Sequence, residues 1–525
     1  MLLHLRRIAA WRFPNEIDLG GFRHTMFRKM IAAVTALLLL FSAATFAEEG
    51  QHAPDYILEG FEDSSVSRNW ETNLFFSRMQ EKTGISFQFR QIMKAEDWTL
   101  RKQQILDGED LPDVLYKAGL SASDVRNLYG AGRIIDLKPY LEKYAPNLWA
   151  LLQEHPEWEK AITLADGAIP ALPNFNELQN NNVMWLNSLW LERLKLEKPK
   201  TAEELTEVLR AIRDGDPNRN GKKDEIPLSF IGMWDLRFLG HAFGILDNDY
   251  YITARDGKVT SSLTSGENRA FLSWLHMLWE ENLLDHNGFS TADSLRQITD
   301  EKAEMIYGMV LTPTPLLVVP SASLSQYGML EPLEWEGKQE YRSLLGDVIR
   351  GTFALTSACK EPEKLIAWVD YLYTEEGSRL AQSGVEGDEY QWNEDGYWEW
   401  NFDLTTVAND ILPNHTISEG GAAPGLTKAD FQLKYADSET RSNIEQIHQF
   451  NGYARLPFPY VTLSEEDENR VAELQKQLAP YAEETMACFV TGDIQLSDEN
   501  WDSFVRTVEE KGLNEMMAVW QKYAE

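Results

Sequence analysis

Residues 56–116 read YILEGFEDSSVSRNWETNLFFSRMQEKTGISFQFRQIMKAEDWTLRKQQILDGEDLPDVLY. Short apolar runs over 56–58, 85–89 and 113–116 are separated by two stretches of helical spacing, 69–82 and 98–106. Strand, helix, strand, helix, strand is the pattern of a parallel sheet covered by helices. Downstream, a further helix over 137–144 has to end before Ala145-Pro146, because the residue ahead of a proline avoids helical geometry.

A second α/β region starts at 183 with a strand over 183–186 and a helix over 188–194. Thr201-Ala202-Glu203-Glu204 is a capping box that opens the next helix. Arg255-Asp256-Gly257-Lys258 marks a hairpin. A helix over 268–284 and a strand over 303–309 follow, then a strand over 351–357 and a helix over 361–373. The tail from 464 to 525 reads as helical throughout, and Ser464-Glu465-Glu466-Asp467 places carboxylates where they complement a helix N-terminus. No repeat or low-complexity linker interrupts these units, so interleaved lobes are expected rather than separate beads.

Upstream, Met26 is followed by Arg28-Lys29, an apolar run over 30–41 and small residues ending at Ala47. That is the composition of a secretory signal peptide over 26–47, with 1–25 as an upstream extension. The apolar run falls short of the ~20 residues that a membrane span needs. No cysteine lies near the cleavage point, so a lipid-modified mature N-terminus is not expected. The expectation is an exported protein, extracellular, at the cell surface or periplasmic, without a membrane-spanning helix.

Of the 525 residues, 49 are Lys or Arg and 83 are Asp or Glu, for a net charge of −34. So acidic a surface repels nucleic acid and anionic lipid, and neither is an expected partner. The 2 cysteines, Cys359 and Cys488, match no metal-ligand spacing and read as small core residues with free thiols. No phosphate loop, zinc-protease signature or serine-nucleophile elbow occurs. His241, His415 and His448 stand apart from one another and read as core or surface histidines.

The most specific local motif is Asp216-Pro217-Asn218-Arg219-Asn220-Gly221-Lys222-Lys223-Asp224-Glu225. Side-chain oxygens at alternate positions converge on one cation, and the glycine permits the sharp turn between them. Asp216, Asn218 and Asn220 supply the first three ligands, Lys222 a carbonyl oxygen, and Asp224 and Glu225 the closing carboxylates. Pro227 stands where an EF-hand carries its twelfth-position Glu. The loop therefore reads as a structural Ca2+ site outside the EF-hand pattern. The segment from Tyr390 to Trp400 crowds aromatics around the turn Asn393-Glu394-Asp395-Gly396. Aromatic faces beside carboxylates and amides suit sugars, and equally suit hairpin packing.

The chain resembles the extracellular solute-binding proteins of ABC importers, family 1, in the large branch that includes oligosaccharide and alginate binders. The resemblance rests on Leu111-Pro112-Asp113-Val114, Met184 to Leu191 with Pro199-Lys200-Thr201, and the 216–227 loop. Gly384-Val385-Glu386-Gly387 with Tyr390-Gln391-Trp392, and Phe489-Val490-Thr491-Gly492, extend it to nearly the whole chain after 53. It implies an α/β, periplasmic-binding-protein-like two-lobe fold of type II, hinge-closing, with a helical C-terminal region. On that reading 53–170 plus 305–357 form one lobe, and 171–304 plus 358–525 form the other, which carries the 216–225 calcium loop. It also implies a non-enzymatic, monomeric receptor that binds an oligosaccharide and passes it to the transmembrane subunits of an ABC permease. Ligand meets loops at the C-terminal ends of strands in such folds. The expected contacts are Phe61, Lys117 and Ser121 on one lobe, Trp234 on the other, and Glu386, Tyr390 and Trp392. The alternatives are a secreted glycoside hydrolase, which needs two carboxylates across a cleft, and a peptide or lipid receptor on the same fold.

Overall fold

In the computed structural model the described residues are 54–64, 67–178, 182–290, 305–315, 318–319, 321–343, 348–417 and 422–524. The expected extension 1–25 and signal peptide 26–47 lie outside them. Tyr56–Phe61, Phe87–Ile92 and Val114–Tyr116 are the strands expected at the start of the chain, with helices Leu74–Thr83 and Ala95–Asp107 between them. The first helix starts later than the sequence pattern suggests, because the Asn73 side chain caps it by accepting from the Phe75 N–H.

Those strands sit in a six-stranded sheet ordered 425–427, 172–176, 348–355, 114–116, 56–61, 87–92. All run parallel except Val348–Leu355, which pairs antiparallel with both neighbours. The C-terminal ends of five strands therefore share one edge. At Gly60 the approach of the neighbouring strand is so close that a Cβ would lie 1.6 Å from the Tyr116 carbonyl oxygen. Leu58, Phe75, Tyr116, Trp368 and Phe353 fill the core on this sheet.

A second, four-stranded sheet has the order 327–329, 183–187, 307–312, 226–229. Val183–Asn187 runs antiparallel to Tyr307–Thr312, and Ile226–Ser229 runs parallel to it. The helix Ala202–Gly215 packs Leu205, Leu209 and Ile212 on this sheet, capped by Thr201 as expected. The C-terminal helices Glu465–Thr491, Asp498–Glu510 and Leu513–Gln521 join the same side through Leu478, Phe489, Phe504 and Leu513.

Sheet membership differs from the expected lobe segments in two places. Tyr307–Thr312 and Tyr327–Met329, expected with the first lobe, hydrogen-bond into the four-stranded sheet. Leu365, Ile366, Trp368, Leu380 and Leu426, expected with the second, pack in the core of the six-stranded sheet. The physical reason is that partner choice in a sheet is set by distant strands, whereas a strand's own residues show only that one face or both is buried.

The chain passes between the two sides after Asn176, again between Arg342 and Val348, and a third time after Thr427, on its way to the C-terminal helices. Glu177 pins the first passage: its N–H donates to the Thr427 carbonyl, and its carboxylate accepts from the Ala429 N–H. Cys359 and Cys488 are both free thiols. Among the described residues no helix is long and apolar enough to cross a membrane.

Candidate functional site

The first two passages leave the six-stranded sheet at the edge where its parallel strands end. They reach the four-stranded sheet where Val183–Asn187 begins and Ile226–Ser229 and Tyr307–Thr312 end. These two edges are where sequence reasoning placed ligand contacts.

On the first edge, Phe61 is the last residue of its strand and is half-buried against the Trp98 and Leu120 cluster. Glu62 follows and is buried. Its carboxylate accepts from Arg68 at 3.0 Å, from the Trp70 indole at 2.9 Å and from the Lys117 ammonium at 2.7 Å. Lys117 is itself buried and adopts a left-handed backbone, φ 49°. Its ammonium thus faces Glu62 and the Ile417 carbonyl rather than open solvent, a role the sequence did not suggest. Ser121 caps the helix Ala122–Gly130 in a reciprocal box with Asp124.

On the second edge, Trp234 is 40% exposed in the short helix Gly232–Leu236. Its indole N–H donates to Asp249 at 3.2 Å, and its ring stands edge-on to Phe238. Arg342 lies fully buried over that phenyl ring, 4.7 Å from its centroid. It pairs with Asp247 at 3.2 Å and reaches Asp249 at 3.5 Å. Burial, with repulsion from Arg237, lowers its pKa to about 10. Arg237 pairs with the same Asp247 at 2.9 Å. Two buried guanidiniums thus back an exposed indole and the half-exposed carboxylate of Asp249. The sequence reading named Trp234 as a candidate contact and did not name Asp249 or Arg342, its neighbours here; Asp249 carried only the signal of the polar run Asp247-Asn248-Asp249.

Glu386, Tyr390 and Trp392 belong to a third place. Glu386 is exposed in the loop after the helix Glu375–Ser383. Tyr390 is buried and packs edge-on against Trp398 and Phe431, so it serves the hairpin core rather than a ligand surface. Trp392 is half-buried and stands edge-on to Phe431. Nearby, Glu389 accepts from Arg78 through both oxygens at 2.9 Å and from His415 at 2.6 Å. Burial works to raise its pKa, but these hydrogen bonds outweigh it and hold the carboxyl below its usual range. His241 is a core histidine as expected: its ring touches Phe238 O, accepts from the Leu333 N–H, and burial lowers its pKa to about 4.

The 216–225 loop forms the expected turn. Asp216, Arg219 and Gly221 take positive φ values of 46°, 64° and 73°. Asp216 and Asn218 accept from the Asn220 N–H at 3.1 Å each, and the Asn218 and Asn220 amides lie 3.0 Å from Asp224. The Lys222 N–H donates to Asn220. Glu225 is the informative member: both its carboxylate oxygens are buried without a hydrogen-bond partner. Burial, then the neighbouring Asp224 and Asp216 charges, raise its pKa. A partnerless carboxylate beside two others fits a cation. Among the described residues no three His, Cys, Asp or Glu side chains converge tightly enough to hold an ion by themselves. Amide and carbonyl oxygens would have to complete the shell, as they do for calcium.

No family model matches the chain. A sequence relative, the fructooligosaccharide ABC transporter substrate-binding protein FusA of Streptococcus pneumoniae serotype 4, is 28% identical over 548 residues, covering 95% of this chain and 97% of that one. The solved structure of S. pneumoniae FusA in complex with kestose is 26% identical, covers 89% of this chain and 98% of its own, and superposes with a TM-score of 0.68. FusA has also been solved as an EF-hand mutant in complex with fructo-nystose, with the same figures. An extracellular solute-binding protein from Bifidobacterium longum subsp. infantis shares the fold at a TM-score of 0.76 and 19% identity, over 90% of this chain and 98% of that one. Over nearly its whole length, in sequence and in fold, the chain is similar to the solute-binding proteins of ABC transporters.

Proposed function

We propose that this protein is an exported receptor that binds an oligosaccharide between its two lobes and delivers it to the transmembrane subunits of an ABC permease. The observation that carries this reading is Trp234, an exposed indole at the sheet edge where the lobes connect, with Asp249 held at its rim. A sugar stacks its C–H face on such a ring while its hydroxyls donate to the adjacent carboxylate. Phe61 and Ser121 on the facing edge, with Glu386, are the remaining proposed contacts. Lys117 acts behind them by fixing Glu62. The lobes follow the sheets, with 55–176 and 348–427 in one and 183–342 and the C-terminal helices in the other. Closure of the hinge then brings the two edges together over ligand.

The FusA name supports a carbohydrate, and its EF-hand supports reading the 216–225 loop as a structural Ca2+ site held by Asp216, Asn218, Asn220, Lys222, Asp224 and Glu225. The hydrolase alternative requires an acid kept protonated near neutrality. Glu389, the buried carboxyl beside the aromatic hairpin, is instead held ionised by Arg78 and His415. The receptor acts alone, as a monomer, until it meets the permease.

Trp234→Ala should weaken oligosaccharide binding by roughly 1–3 kcal/mol, the scale for removing an anchoring aromatic. Calorimetric titration of the variant, with its thermal melt as a folding control, measures this. Wild-type affinity in a folded variant would remove Trp234 from the site.

A further inference from the structure

The cluster around Trp392 forms a cavity of its own. It has a volume of about 170 Å3 and opens between the helix Glu375–Ser383, the strand Gly425–Thr427 and the hairpin strand Tyr390–Trp392. None of its lining residues comes from the four-stranded sheet or from the Trp234 surface. Its aromatic walls are Trp392 and Phe431, whose rings meet edge to face at 80°. Three cations, Arg379, Lys428 and Lys434, line it together with the carboxylates Glu375 and Asp430.

The pairing of these charges is unusual for so acidic a chain. Arg379 lies 3.8 Å from Glu375 and 5.8 Å from the Phe431 ring centroid. The ammonium groups of Lys428 and Lys434 make no hydrogen bond or ion pair with any described residue. In a protein with 83 acidic residues against 49 basic ones, a cavity lined by three cations and two carboxylates, with both lysines outside any ion pair among the described residues, carries a local positive excess that suits an anion. The polar floor is otherwise spoken for: Ser378 and Gln382 both donate to the Leu426 carbonyl.

We infer that this cavity is a second saccharide site, separate from the interlobe cleft, that takes a single carboxylated sugar ring of the hexuronate class. The carboxylate meets Lys428, Lys434 and Arg379, and the C–H face of the ring lies on Trp392. The volume is well below that of sites for larger ligands, which run from ~300 Å3 upwards, so one ring fits and an oligosaccharide does not. Trp392 is thereby assigned to this site and Trp234 to the other.

The test is a titration of the full protein with glucuronate, glucose and acetate in turn, followed by ligand-observed NMR. Glucuronate should bind saturably with a dissociation constant of about a millimolar, while glucose and acetate bind more weakly. Lys428→Gln with Lys434→Gln should weaken glucuronate about tenfold, the effect of removing two charge-assisted contacts. Trp234→Ala should leave glucuronate binding unchanged while it weakens the oligosaccharide. No saturable glucuronate binding, an unaffected double-lysine variant, or equal binding of acetate would overturn the assignment. Loss of glucuronate binding in Trp234→Ala would overturn it too, by moving the ligand to the interlobe cleft.

Discussion

Glu62→Gln should destabilise the protein by about 3–5 kcal/mol, the scale for breaking a buried ion pair by neutralising one member. Glu62, Arg68 and Lys117 are almost wholly shielded from solvent, with side-chain exposures of 2%, 0% and 4%. One carboxylate serves both cations and also accepts from the Trp70 indole. A neutral amide leaves two buried cations facing it and offers one acceptor oxygen instead of two. Adding Lys117→Met to the variant should recover part of the loss, because one buried positive charge is then gone. Chemical denaturation followed by tryptophan fluorescence measures both. A single variant as stable as wild type would show that the cluster contributes nothing to the fold of this edge.

The second large effect is expected at the 216–225 loop. Removing calcium with a chelator should lower the melting temperature by several degrees, and restoring it should bring back both stability and ligand binding. A ligand that binds only the folded state stabilises by about 2.7 kcal/mol when present at a hundredfold excess over its dissociation constant. Glu225 locates the effect: burial first, and then the neighbouring Asp224 and Asp216 charges, raise its pKa, and a bound cation would offset both. Asp216→Ala should lower the melting temperature as the chelator does and make it insensitive to added calcium. A protein that melts at the same temperature with and without chelator would reduce the loop to a turn.

What the sequence disclosed, and what it withheld, divides by distance along the chain. The Asp216 loop, the Thr201 cap and the alternation of strands and helices over 56–116 are local, so residue type and spacing carry them. Lys117 is read correctly as lying at a strand end. Its partner Glu62, 55 residues away, decides what it does there, and no pattern announces that pair. Tyr390 and Trp392 lie two apart on one strand and share a face, both edge-on to Phe431, yet Tyr390 is also covered by Trp398 and is buried while Trp392 lines a cavity, a difference that distant residues set. Trp234 reads as a stacking surface from its place after a strand, whereas Asp249 and Arg342 become visible only when three distant segments meet at Phe238. Sheet membership departs from the expected lobe segments for the same reason: Tyr307–Thr312 is legible as a strand, but its sheet is chosen by 183–187 and 226–229.

The most direct test of the receptor reading is calorimetric titration of the calcium-loaded protein with a panel of neutral oligosaccharides, with the sugars recovered and sized afterwards. The prediction is saturable binding heat for at least one oligosaccharide, and recovery of that sugar at its original length. Shortened products would make the protein a hydrolase, and absence of binding to every sugar would contradict a carbohydrate receptor.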